Sequence, residues 1–216
     1  MKTTQKTALS FSIAAMLILP LSIASASHSS TMTVKITNIS NVVFTPPIVA
    51  LCKKRIQPIA KVGSPASNEL EPLAEGGDTS ALANIFDYNA CNYVTSATPI
   101  PPGESITLEL TGRRQHYLHM ASMLLPTNDG FIYSSGHKVK HIKKQGGLAL
   151  RSYDAGTEFN DELCANIPGP QCGGEGFNAT REDNNFIKPH PGIQGAADVS
   201  AATYNWGEPV AYIEIN

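Results

Sequence analysis

Beyond the N-terminal residues, the longest apolar strand-like run of this chain, residues 117–125, stops at Pro126 and passes at once into Thr-Asn-Asp-Gly at 127–130. Such a run is too short to cross a membrane as a helix and suits a central strand. Shorter extended segments surround it. Residues 32–39 and 105–110 place apolar side chains at every second position, the mark of a half-buried strand. Residues 42–44 and 48–51 flank Pro46-Pro47, which stops a ladder or holds it at an edge. Residues 131–134 and 148–153 read as further strands. Near the end, Val210, Tyr212 and Glu214 alternate against Ala211, Ile213 and Ile215, with the first set expected outward.

One helical region is expected, residues 68–89, in two pieces parted by Gly76-Gly77. Leu70 and Leu73 mark the first piece. Leu82, Ile85 and Phe86 form the apolar face of the second, with Asp78 or Thr79 as its cap. Glu69, Glu71, Glu75 and Asp78 read as solvated helix-end acids. Many short strands, turn clusters between them and few helices point to a mainly β chain, an antiparallel β-sandwich with one or two short helices in a connecting segment.

The N-terminal residues read as an export signal. Lys2 and Lys6 precede an apolar stretch, and Ala24-Ser25-Ala26 offers a small-x-small cleavage site. The expectation is a cleaved signal peptide at residues 1–26 and one domain at 27–216, in the periplasm or outside the cell. A domain of this length buries about 70% of the surface its unfolded chain exposes. No other apolar run is long enough to span a membrane.

Four cysteines in an exported chain suggest disulfides. Three pairings are possible. Cys164 and Cys172 bracket a segment that must turn and are the natural local pair, which leaves Cys52 with Cys91. The chain-entropy account gives roughly 2.6 kcal/mol for the short loop and roughly 4 kcal/mol for the long one. Zinc would require tighter Cys/His spacing than occurs here.

The formal charge is −2, and the basic residues look scattered. Lys138, Lys140, Lys143 and Lys144, interleaved with His137 and His141, form the one local cluster and read as a solvated face. Nothing resembles a nucleic-acid footprint.

Chemistry concentrates in residues 127–158. Asp129 follows the central strand, and Asp154 and Glu158 follow the run at 148–150. If the two strand ends lie side by side, their acids converge. Carboxylates gathered in loops are what Ca²⁺ requires. Loop acids are also ordinary turn residues, so the spacing alone leaves both readings open. His116 and His119, three apart on a strand, face opposite ways and make poor partners for one metal. His190, between two prolines, reads as a residue that fixes its loop. Signatures of nucleophilic, zinc-dependent or phosphate-binding enzymes are missing. The remaining catalytic option is a hydrolase that uses Asp154 and Glu158 as an acid–base pair. A bound cation would hold both ionised and remove the acid, so the expectation is a non-catalytic protein, with a periplasmic structural protein that has no ligand but calcium as a third possibility.

The order Ser-Met-Leu-x-Pro-Thr-Asn-Asp-x-Phe at 122–131, then Tyr-Asp-Ala-Gly-Thr-Glu at 153–158, resembles the spondin N-terminal (F-spondin) domain. The bacterial secreted branch of that family is more similar still. It shares Ala-Glu-x-Gly-Asp, here 74–78, Pro-Gly-Pro-x-Cys-Gly-Gly, here 168–174, and His-x-Gly-Ile, here 190–193. The likeness runs from about residue 32 to 215. It implies a C2-like antiparallel β-sandwich with one Ca²⁺ among the loops at one end, held by Asp129, Asp154 and Glu158. It also implies a role in recognition or adhesion, with a protein or glycan partner at the cell surface. Glu158 stands where animal members carry Asp, and Gly130 where they carry an aromatic residue. The additional repeats of the animal proteins are absent from this sequence.

Overall fold

A computed structural model describes residues 2–3, 29–181 and 183–216. The signal-peptide reading falls almost wholly outside the described residues. The chain is mainly β, built from two antiparallel sheets. The smaller has the order β5-β1-β11-β8, from Ser105–Gly112, Ser30–Asn38, Ala211–Ile215 and Leu148–Leu150. The larger has the order β10-β9-β7-β6-β3-β4, from Lys188–Pro189, Ser152–Asp154, Gly130–Lys138, Tyr117–Leu125, Ile48–Cys52 and Asn92–Thr95. The two-residue strand β2, Val43–Phe44, also pairs with β6.

The larger sheet is buried on both faces, which explains its continuous apolar strands. β3 shows how. Val49 and Leu51 enter the core between the sheets, beside Val34, Ile36, Leu118, Met120 and Ile213. Ile48, Ala50 and Cys52 enter a second core on the outer face, beside Leu70, Leu73, Leu82 and Phe86. Those leucines and Phe86 come from the segment that holds α1, Glu71–Gly76, and α2, Ser80–Tyr88. The two helices are the lid of the second core and are separated where expected. Gly77 follows α1 with a left-handed φ of 70°, and a Cβ there would meet the Thr45 side chain at 2.9 Å.

β6 spans the expected residues and is central in its sheet. It runs into β7 through a cis Leu125–Pro126 bond and a turn at 127–129. The β6–β7 register shifts between Leu118 and His119, opposite Gly136, whose φ of +74° lets the extra residue bulge.

Four features differ from the expectation. Residues 148–153 are two strands, not one: β8 pairs with β11 in one sheet and β9 with β7 in the other. Arg151 is the crossing point between the sheets. The lysine cluster after β7 forms a helix, α3, Val139–Gln145, because Val139 and Ile142 both reach the core between the sheets. Val210 is fully buried, while Tyr212 and Glu214 do face outward. β4 gave no clear alternation in sequence, since its four residues are half-buried or exposed.

The expected disulfides form. Cys52–Cys91 ties the end of β3 to the chain between α2 and β4, and Cys164–Cys172 closes the local loop. The latter braces a long irregular region that carries its own small core of Ile167, Ile193 and Val199, against which Trp206 packs. A last short helix, α4, Ala201–Tyr204, precedes β11. Two disulfides point to an oxidising compartment. Among the described residues, no helix is long and apolar enough to cross a membrane.

Because Phe86 is fully buried beneath α2, Phe86→Ala should destabilise the fold by about 3–5 kcal/mol, read from the urea midpoint. A loss below about 1 kcal/mol would show that the helical lid is not part of the cooperative core.

Candidate functional site

The β6–β7 turn and the end of β9 lie side by side. Gly130 pairs with Asp154, and the Ala155 N–H donates to the Asp129 carbonyl at 3.2 Å. The two acid clusters of the sequence are therefore joined in space. Thr127 sets the turn: its hydroxyl donates to the Leu124 carbonyl at 2.5 Å and accepts the Gly130 N–H at 3.0 Å. A Cβ at Gly130 would stand 2.5 Å from that hydroxyl oxygen and 3.1 Å from the His190 ring. The close approach of Thr127 and His190 therefore favours glycine at this position.

Asp129 and Asp154 are both fully buried. One Asp129 oxygen, Oδ2, accepts the Thr157 N–H at 2.8 Å and the Glu158 N–H at 3.2 Å. The other, Oδ1, is buried and has no hydrogen-bond partner. Asp154 Oδ1 accepts the Gly156 N–H at 2.8 Å. Its Oδ2 accepts from Asn160 Nδ2 at 2.5 Å and faces Lys188 Nζ at 3.3 Å. Gly156 has a left-handed φ of +70°, and a Cβ there would lie 2.9 Å from the Asn185 backbone. That contact is the reason for glycine in Asp-Ala-Gly-Thr. Glu158 is buried next to Asp129 through its backbone.

Burial raises the Asp129 carboxyl to about 7, and the charge of Asp154 adds to the rise. The amides of Thr157 and Glu158 oppose it. A proton or a cation relieves such a pair, since two buried anions at short range resist joint ionisation.

A third buried acid borders this pair. Glu75, at the end of α1, is 1% exposed, and its charge also reaches Asp129. Its Oε2 accepts the Asn178 N–H at 3.1 Å, and its Oε1 makes no hydrogen bond. Burial raises its pKa, while the nearby Thr157 hydroxyl and the Asn178 amide hold it down. Glu71 is buried as well, in a two-toothed pair with Arg181 at 2.7 Å for each contact. Reading these two as solvated helix-end acids is therefore corrected: α1 is pressed onto the sheet, and its acid face is covered by residues 177–181. The available signal was the Ala-Glu-x-Gly-Asp segment at 74–78, which contains Glu75.

Outer loop residues lock the turn in place. Asn128 donates to Asp161 Oδ1 at 3.0 Å and accepts the Glu162 N–H at 3.3 Å. The Glu162 carboxylate accepts the N–H groups of Gln194 and Ala196, each at 2.6 Å. His190 fixes its loop as expected, with Nδ1 accepting the Gly192 N–H at 2.9 Å and the ring packed on Trp206. Burial lowers its pKa to about 4, against the pull of Asp154 and Glu162. His119 is fully buried, bonded to Ser135 on the lid side, far in register from the acids.

Among the described residues, no three His, Cys, Asp or Glu side chains converge closely enough to form a metal site by themselves. What the structure brings together is narrower than the expected trio. Asp129 takes the Glu158 amide, Asp154 takes the Gly156 amide, and the charge of Glu75 reaches Asp129. No protein-family model matches the chain, and no curated protein matches it.

A buried carboxyl with a raised pKa keeps its proton in the folded state, so its contribution favours folding below pH 4 to 7 and is lost as pH rises through that window. In EDTA, with Asn at position 129 as the reference, wild type should lose several degrees of thermal midpoint between pH 5 and pH 7.5 relative to Asp129→Asn. Parallel pH profiles for the two proteins would exclude a protonated Asp129.

Proposed function

We propose that this chain is an exported, non-catalytic recognition module of the spondin N-terminal type, carrying a calcium ion at the loop end of its sandwich. The observation that carries the reading is Asp129 Oδ1: a fully buried carboxylate oxygen without a hydrogen-bond partner, beside a second buried aspartate. Buried polar atoms of this kind call for a partner. The donors are hard oxygens, as Ca²⁺ requires, and none is a thiolate or imidazole. Asp129 and Asp154 would hold the ion, with Glu158 as the third carboxylate, and backbone oxygens and water would complete a shell of about six to eight. The ion would supply fixed positive charge that ties the β6–β7 turn to the loop after β9.

Full burial of both aspartates also supports binding over hydrolysis, because a substrate-sized molecule cannot reach either carboxylate. The two disulfides fit a periplasmic or secreted location. The presented surface would engage a protein or glycan outside the cell.

With a dissociation constant near 10⁻⁴ M, at the tight end for extracellular modules, 10 mM calcium should stabilise the fold by about 2.7 kcal/mol. That corresponds to roughly 5–10 °C in thermal midpoint for a domain of this size. Asp129→Asn retains an acceptor for the Thr157 and Glu158 amides, so it should stay folded in EDTA and lose the calcium shift. A wild-type midpoint that is the same in EDTA and in 10 mM calcium would refute the reading.

A further inference from the structure

The end of the sandwich opposite the acids gathers cations from three separate parts of the chain. Lys53, Lys54 and Arg55 follow β3. Arg113 and Arg114 lie in the β5–β6 turn. Lys138 and Lys140 lie where β7 passes into α3. These seven belong to the sixteen lysines and arginines of the sequence. Strand register brings them together: Cys52 pairs with Tyr117, and Tyr117 pairs with Lys138. The Lys140 N–H donates to the Arg114 carbonyl at 2.8 Å. The Arg55 guanidinium and the Lys138 ammonium both lie over the Tyr117 ring, 5.8 and 5.4 Å from its centre. The basic residues are not scattered once the chain is folded.

This end is concave. A hollow of about 400 Å³ is lined by Lys53, Arg113, Gln115 and His116, and an adjoining one of about 350 Å³ shares Lys53, Arg113 and His116. Among the described residues neither hollow is lined by an Asp or Glu. His116 is 8% exposed, and its Nδ1 has no hydrogen-bond partner. Burial lowers its pKa, and the charges of Arg113 and Lys53 lower it further.

Cations held together around a polar hollow form a concentrated positive field that attracts anions. Two anionic partners differ in what they need. A lipid surface rewards apolar side chains that insert beside the cations. Among the described residues, the exposed large apolar side chains are Ile39, Val62, Tyr88, Phe159, Leu163, Phe177 and Phe186, and none belongs to the three basic segments. A flexible polyanion needs only spaced cations and a cavity for one of its charged groups. We infer that this end binds a polyanionic saccharide bearing sulfate or phosphate groups, with one such group seated between Lys53, Arg113, Gln115 and His116.

The surface works independently of the acid site. β7 runs from Gly130 to Lys138, so the two ends are about 25 Å apart at the rise of a strand. That is about three Debye lengths at physiological salt.

The test is calorimetric titration of the protein in EDTA with heparin as the sulfated polysaccharide, with neutral dextran and phosphatidylglycerol vesicles as comparisons. Heparin should bind at 50 mM NaCl and weaken at least tenfold by 300 mM. The exposed double reversal Lys54→Glu/Arg114→Glu should weaken it at least tenfold with an unchanged circular dichroism spectrum. Lys61→Glu, in the loop bonded to Ile187, should change it less than twofold. No heparin binding at 50 mM NaCl, equal affinity in the double variant and wild type, or tighter binding to the vesicles than to heparin would overturn the inference.

Discussion

The structure depends on the β6–β7 hairpin being covered on both faces. Leu118, Met120 and Ile132 fill the space between the sheets, while Ala121 and Phe131 fill the space beneath the helices. A ladder anchored on two sides cannot slip by one residue without turning both apolar sets toward the wrong layer. Its two ends are therefore fixed relative to each other, and the chemistry of the molecule sits at those ends. Asp129 precedes the first residue of β7, and Lys138 is the last.

At the acid end, order comes from satisfying backbone groups with carboxylates. Asp129 takes two amides from the loop after β9, Asp154 takes one, and Glu162 takes two from the loop beyond His190. The bonds to Asp129 and Glu162 tie together segments about thirty residues apart, while the Asp154 bond is local. The arrangement concentrates negative charge where water is excluded, at an electrostatic penalty that a protein lowers by proton uptake or a bound cation. That penalty is what makes this region a candidate site as well as a set of loop braces. Glu75 extends the same field to α1, so the helical lid and the loops share one electrostatic environment.

At the other end, among the described residues, no carboxylate lines the hollows, and most of the cations are exposed. Burial is the difference between the two poles. The acids lie beneath loops held by a disulfide and a small core of their own, whereas most of the cations sit on short turns between strands. In the proposed reading, one pole would hold something small and hard and the other would meet something extended.

Much of this was legible in the chain itself. Period-two alternation located β1, β5 and β11, and the unbroken apolar run located β6, because those patterns report directly which faces are buried. The glycine pair split the helices, and loop length favoured the disulfide pairing that forms. Convergence of Asp129 with Asp154 followed from two turns at neighbouring strand ends. Other features depend on contacts that local pattern does not encode. Residues 148–153 divide between two sheets because β11 and β7 compete for them. α3 forms because Val139 and Ile142 meet a core assembled from distant strands. Glu75 is buried only because residues 177–181 fold back over α1. The basic end exists only because register places three separate turns side by side. Sequence determines the period and so the faces; tertiary structure decides which loops become neighbours, and charge acts through space instead of along the chain.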